Sequence, residues 1–505
     1  MTQDEPQGRA IVTLPGGRPR EARYAALAER PPAAGGVSTV TFVTAGSTAM
    51  PASRLRQDVR AIALILPIVV LLALAISYAL YRFPPSASVV LAGTVGLAAT
   101  AALALLRYEL AVALGFLLLG VVRSEPAAPD AVFGVVIAIA VVTGRFNLQR
   151  VPVVIFSLLG TFVALNLLSA IEAVSTQAAI RYMLITLYLA VFAVWLTAFV
   201  DSFSRAQMLV RAYVAGAAFW ALLTSLALYV PLPGGGYLLA YEGTRGVGLF
   251  EDPNVYGPFL IPAALILVEE MLRPRLLRSS RRTKLLLFSI LVIGVILSFS
   301  RAAWISLVVG LVVQLAVLAL RRGGVRHAAA VLGVMVFGGM AVAGVVAVTG
   351  SLGFLQERAA LQRYDSDRFG AQERGIALAE QYPVGIGPGQ FDVLVDISSH
   401  SIYVRVLAEQ GVIGFLVIVA LLLTTLVLAG RNVVLGRHTY GIGPAALFAA
   451  WIGLLINSAV VDTLHWRHLF VVAALIWAGS RAPTSSAYRS APSSSPPTVA
   501  ARLPM

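Results

Sequence analysis

The chain contains no cysteine. That excludes disulfides, thiolate nucleophiles and Cys-ligated metals, and it leaves the cellular compartment open. Charge is also scarce. Only 12% of the 505 residues are Asp, Glu, Lys or Arg, against about a quarter in a soluble protein. The acids are the scarcer sign, at 24 against 38 Lys and Arg, for a formal net charge of +14. No histidine spacing of the zinc type is present, and no carboxylate pair marks a metal site. The one conspicuous glycine run, GIGPG at 385–389, follows a helix-like segment and contains Pro388. A dinucleotide fingerprint needs a strand before it and a helix after it, so this run is instead a tight turn.

What fills the chain is apolar: 58% of residues are hydrophobic, in recurring runs of about 20, the length that crosses a bilayer as a helix. The pattern predicts an all-α polytopic membrane protein with about 12–14 transmembrane helices. Fourteen spans are expected, near 61–81, 86–106, 108–122, 130–144, 151–171, 180–200, 208–230, 254–272, 285–299, 302–320, 328–350, 401–429, 441–461 and 465–480. The third, fourth, ninth and last are short, which sets the lower count. The first run lies too far from the N-terminus for a simple signal peptide. Residues 1–60, rich in Arg, Pro, Gly and Ala, and residues 481–505, rich in Ser, Pro and Ala, read as disordered tails. The domain between them is 61–480.

The basic residues cluster in short loops between spans, as in 273–284, 144–150, 201–211, 431–437 and around Arg321, Arg322 and Arg326. This is the signature of membrane topology rather than of nucleic-acid binding. With fourteen spans these loops and both tails share one face, the cytoplasmic one. The opposite face receives two long loops, 231–253 and 351–399, and long ordered loops are usually functional. Within the spans, charges such as Glu109, Arg181, Asp201 and Arg211 sit at the ends. Ion-coupled transporters need ionisable groups at mid-span, so that class is disfavoured. The deeper amides Asn166 and Asn457 are expected to join helices. No internal repeat supports an inverted-repeat transporter.

Four outer segments carry the candidate chemistry. Arg245 precedes GVGLFEDPNVYGPFL and lies on the outside, against the positive-inside bias; it is either a solvated loop arginine or an anion site. Asp252 is a natural helix N-cap, Pro253 suits the first turn, and a capping role for Asp252 and Asn254 is favoured over a catalytic one. Arg301, in SFSRAAW, is pinned at a minimal turn between two spans. It can snorkel to the interface or complete an anion clamp with Arg245. In 365–391, Arg368 and Arg374 open an amphipathic helical pattern ending near Tyr382. Finally, His400 stands at the outer mouth of a long span, where a helix N-terminus favours the neutral, proton-accepting ring. His465 and His468 compete with it, while His327 and His438 fall on the cytoplasmic side. A structural role remains open for each histidine.

The order of these parts resembles the O-antigen ligase and polymerase superfamily of bacterial envelope glycan assembly, over about residues 60–480. The parts are an Arg–Gly loop with DPN, a span, SR between spans, then a long outer loop running from an arginine through YPVGIGPGQF to a histidine and YVRVLAEQGVIGFL. The resemblance implies a helical bundle related to the GT-C glycosyltransferases with a large periplasmic loop at 351–400. It implies transfer of a glycan from an undecaprenyl-diphosphate-linked donor to a glycolipid or glycan acceptor, such as lipid A core, at the outer face of the bacterial inner membrane. It further implies a metal-independent, inverting reaction without a cofactor, with Arg245, Arg301 and Arg368 on the diphosphate and His400 as general base. A ligase is favoured over a polymerase of lipid-linked repeats, and a lipid-linked glycan flippase or a membrane scaffold remain as other classes. Two positions depart from the family habit. Ser401 stands where an asparagine usually follows the histidine, and Gln372 where an aromatic often follows the loop arginine.

Overall fold

In a computed structural model of the chain, residues 87–482 are described apart from 125, 242, 396 and most of 321–362, with side chains from 93 onward. The expected tails, the spans at 61–81 and 328–350, the arginines near 321–326 and the first part of the large outer loop lie outside the described residues.

The described chain is helical, in the order α1 (Ala87–Leu106), α2 (Tyr108–Leu117), α3 (Ala128–Val142), α4 (Val153–Ser169), α5 (Thr176–Phe199), α6 (Phe203–Ala227), α7 (Pro253–Leu272), α8 (Arg281–Leu297), α9 (Arg301–Leu320), α10 (Arg363–Gln381), α11 (Phe391–Leu394), α12 (Ile402–Val434), α13 (Pro444–Val460) and α14 (Arg467–Gly479). Twelve of the fourteen expected spans coincide with α1–α9 and α12–α14. Six helices, α4, α5, α6, α7, α9 and α12, are long and apolar enough to cross a membrane, and α2, α3, α13 and α14 are shorter apolar helices. The protein is an all-α polytopic membrane protein.

One addition to the helices is a two-stranded antiparallel pair in the loop before α7, β1 (Leu239–Ala240) with β2 (Arg245–Gly246). Hydropathy gives no signal for strands of two residues.

Local chemistry sets the helix starts. Ser175, Ser202, Asp252 and Ser280 each accept a backbone N–H of the following first turn, capping α5, α6, α7 and α8. Pro253 occupies the first turn of α7, where its missing N–H costs nothing.

Helix α7 is buried almost throughout, in contact with α6, α8, α9 and α13. Small residues allow this close approach. A Cβ on Gly257 would lie 2.8 Å from Ala303 Cβ and 2.7 Å from Ser298 Oγ, and one on Gly294 would lie 2.8 Å from Leu260. The two deeper amides join helices as expected. Asn166 Oδ1 on α4 accepts from Gln410 on α12 at 3.1 Å, and Asn457 on α13 donates to Ser306 Oγ on α9 at 2.5 Å. By contrast α4 and α12 present Phe156, Leu167, Leu423 and Val427 outward, as a lipid-facing surface would.

Candidate functional site

The loop before α7 is held at several points. Val247 N and Gly248 N donate to Leu238 O at 2.9 and 3.0 Å, and Val122 N donates to Leu249 O at 2.8 Å. Gly246 presses on α6 and the end of α8, where a Cβ would come within 2.9 Å of Thr224 and 3.2 Å of the Leu297 carbonyl. Only glycine fits there, so the Arg–Gly pair is a packing requirement. Arg245 is thereby driven inward and is only 4% exposed. Its Nε donates to the Ser298 carbonyl at 3.0 Å, and its guanidinium lies 5.0 Å from the Tyr241 ring centre. The solvated reading of Arg245 is excluded by this burial.

Ser298 belongs to the minimal turn between α8 and α9. Its hydroxyl donates to Val295 O at 2.6 Å and accepts from Ser300 N at 3.3 Å. Arg301 begins α9 three residues later and is half-buried. Arg245 is thus bonded to the turn that carries Arg301.

The segment after α10 packs back onto α12 through GIGPG. Gly385, Gly387 and Gly389 all have positive φ, at 98°, 99° and 72°. Helix α12 is broken at Gly411, which has φ 68° and ψ −172°. The loop docks into that break: Ile386 N donates to Ala408 O at 2.9 Å, Gly387 N to Glu409 O at 3.0 Å, and Val412 N to Pro383 O at 3.3 Å. Its far side is fixed by Gln390, which accepts from Ser175 N at 2.7 Å and donates to Ser175 O at 3.0 Å.

That anchoring places His400 just before α12, flanked by the buried Ser399 and Ser401. Burial pushes its pKa down. Arg368 pushes the same way, Asp252 and Asp462 oppose, Arg405 adds to the lowering, and the result is about 4. The ring is therefore neutral at pH 7. The same interactions show that Arg368 of α10 and Asp252 of α7 lie near enough to His400 to act on it electrostatically. Asp252 accepts from Asn254 N at 2.6 Å as the cap of α7, and Asn254 follows Pro253 in the first turn. Arg374 stands apart, exposed, donating to Gly370 O of its own helix at 3.3 Å. Of the competing histidines, His465 Nε2 bonds to Thr186 Oγ1 at 3.0 Å, and His468 is buried between Trp466 and Phe259.

One cluster escaped the sequence reading. Arg405 is buried one turn inside α12. Its Nη2 reaches both Asp392 oxygens at 2.7 Å, its Nε lies 2.6 Å from Asp462 Oδ2, its Nη1 lies 3.4 Å from Glu409 Oε1, and the Tyr182 ring centre is 5.3 Å away. Burial pushes the Asp392 carboxyl up, but Arg405 outweighs it and holds the group below the usual carboxylate range. One guanidinium therefore ties α5, α11, α12 and the segment before α14 together, near enough to His400 to act on it electrostatically. Among the described residues no group of His, Asp and Glu is gathered so as to hold a metal ion.

Backbone strain falls on the same segments. Among the described residues, four non-glycine residues have positive φ: Tyr241, Phe299, His400 and Tyr440. Three of them belong to the Arg245 loop, the Arg301 turn and the histidine itself. Such conformations persist where the surrounding structure enforces them, often at functional sites.

No curated protein matches the chain. Residues 286–419 match the family described as O-Antigen ligase, a stretch that contains Arg301, Arg368 and His400 and begins downstream of Arg245. These residues are similar to the O-antigen ligase family, and that similarity supports a relation to the O-antigen ligase superfamily.

Proposed function

We propose that the protein is a GT-C-like glycosyltransferase of the bacterial inner membrane, moving a glycan from undecaprenyl diphosphate to an acceptor hydroxyl at the outer face. The observation that carries this reading is the neutral His400, set in one electrostatic neighbourhood with Arg368 of the outer loop and the Asp252 cap, seven residues past the buried Arg245.

In the proposed reaction the acceptor oxygen attacks the anomeric carbon from the face opposite the diphosphate. The bond from that carbon to the diphosphate oxygen breaks, and the configuration inverts. The acceptor proton passes to His400, whose neutral ring is the form able to receive it. Arg245, Arg301 and Arg368 carry the negative charge gathering on the leaving diphosphate. Fixed guanidiniums in a partly desolvated site do this without reorganising at the moment of reaction. Three such cations supply the neutralisation that a metal ion would otherwise give, so a metal-independent reaction is expected. The apolar outer faces of α4 and α12 are compatible with a polyprenyl tail.

We favour a ligase, with lipid A core or another envelope glycolipid as acceptor, over a polymerase of lipid-linked repeats. The GIGPG segment docks its backbone onto α12, and a loop held in this way can shape an acceptor surface. In this reading both termini are cytoplasmic and the site faces the periplasm.

Reconstitution of the full chain with undecaprenyl-diphosphate glycan and candidate acceptors, in the presence of EDTA, tests the proposal. Wild-type protein is expected to form product. His400→Ala and Arg301→Ala are expected to lose at least about a hundredfold in rate, the scale of a lost general base or charge stabiliser. Full activity in both variants removes the site assignment. Flipping of the lipid without glycan transfer makes the protein a transporter.

A further inference from the structure

Two exposed tyrosines in the loop before α7 each lie against an arginine. Tyr241 is the first residue of the turn joining β1 to β2, and its side chain is 62% exposed. Its φ is +50°, a conformation that glycine would adopt without penalty and a tyrosine does not. The turn is closed on its carbonyl, which accepts from Thr244 N at 3.2 Å and Thr244 Oγ1 at 2.7 Å. The ring is fixed against the Arg245 guanidinium, 5.0 Å from the ring centre. Tyr237, in the preceding helical turn, is 68% exposed. Its ring lies 5.6 Å from the Arg123 guanidinium, and its carbonyl accepts from Arg123.

A large aromatic residue left exposed in a strained turn buries nothing that explains its presence. The arginine explains half of it: a guanidinium on the ring orients the ring and is favourable in itself. The remaining exposed surface is a flat, polarisable plate with a phenolic edge, held at a fixed distance from Arg245. A pyranose offers the matching chemistry, a face of polarised C–H groups surrounded by hydroxyls. In a lipid-linked glycan the first sugar is joined directly to the diphosphate. If Arg245 holds that diphosphate, the first sugar is carried to within a ring's width of Tyr241.

We infer that Tyr241 is a sugar-stacking residue, which receives the diphosphate-linked sugar of the donor on its exposed surface, with Tyr237 offering a second plate further along the glycan. The inference rests on the glycosyl-transfer reading of the Arg245 site and adds to it a contact for the sugar itself. It assigns to the outer hairpin a share in recognising the glycan, apart from the charge clamp that recognises its carrier. The alternative is an interfacial aromatic anchor, in which the tyrosines rest among lipid headgroups and touch no sugar.

Direct binding separates these. The full chain in nanodiscs is titrated with undecaprenyl diphosphate bearing one N-acetylglucosamine, and separately with undecaprenyl diphosphate alone. Wild-type protein is expected to bind the sugar-bearing lipid more tightly. Tyr241→Leu is expected to weaken that lipid about tenfold, the scale of a lost aromatic stacking contact, and to leave the bare lipid within about twofold. Tyr241→Phe, which keeps the ring, is expected to stay close to wild type with both. Unchanged binding of the sugar-bearing lipid in Tyr241→Leu overturns the inference. Equal weakening of both lipids also overturns it, because the ring then acts through Arg245 or the bilayer. The underlying reading is tested by Arg245→Gln, which must weaken the bare lipid. If it does not, the diphosphate assignment fails, and the inference about the sugar falls with it.

Discussion

At the scale of single residues, the electrostatic setting of His400 makes a testable statement about pH. An ordinary histidine titrates near 6.5; this one is pushed down to about 4, first by burial and then by Arg368. The neutral ring is the competent base, so the acid limb of kcat/KM, which reports the free enzyme, is expected near pH 4. Arg368→Gln removes a cation that opposes protonation. The limb should then move upward, toward 6.5, even as the overall rate falls. A pH profile of both proteins checks this, and a limb that stays in place or moves down contradicts the role given to Arg368. The sign carries over to stability. A base whose folded pKa is depressed contributes stability that is complete above the unfolded value near 6.5 and is lost as pH falls toward 4.

Some of these residues were legible and others were not, for physical reasons. Asp252 followed by Pro253 announces a cap, because the first turn of a helix needs an acceptor and tolerates proline. Arg245 stood out because an arginine on the outer side of a membrane protein calls for an explanation. Arg405 gave no such signal. It sits near the end of an apolar run, and its partners Asp392, Glu409 and Asp462 acquire meaning only when three separate segments meet. Its burial among carboxylates is a tertiary fact. Removing one partner from such a cluster is costly because it leaves the others desolvated and uncompensated.

Among the elements, α12 departs most from its sequence. The run 401–429 reads as one uninterrupted span. The structure opens the helix there and fills the opening with the backbone of 383–387. Hydropathy registers how apolar a residue is, and an interruption filled by another backbone leaves that unchanged. The break follows from geometry: φ 68° with ψ −172° is a region that side chains all but forbid, and a Cβ at Gly411 would lie 2.1 Å from Pro383 O. Gly411→Ala is therefore expected to undock the loop. Activity should fall sharply, while the spans stay inserted and the outer loop becomes sensitive to brief proteolysis. A variant with wild-type activity and protease resistance would show that the docking does not position the site.

For the whole molecule, the positions of the spans were readable because a bilayer imposes about 20 apolar residues per crossing. The sidedness expected from the arginine-rich loops is open to a direct check. The natural chain has no cysteine, so a single introduced thiol reports without background. Ser124 and Ser279 are both exposed and are assigned to opposite faces. In intact cells a membrane-impermeant maleimide should label Ser124→Cys, and should label Ser279→Cys only after permeabilisation. The reverse pattern would invert the topology and place the His400 site on the cytoplasmic side.

The ion pair between Arg467 at the start of α14 and Asp130 in the first turn of α3 joins residues 337 positions apart. The segment before α14 likewise supplies Asp462 to Arg405. During synthesis the third described helix therefore leaves the ribosome with its acid unmatched, and the twelfth with its buried cation only partly neutralised. Neither is matched until α14, the last described helix, arrives. A chain interrupted before α14 leaves both groups without these partners.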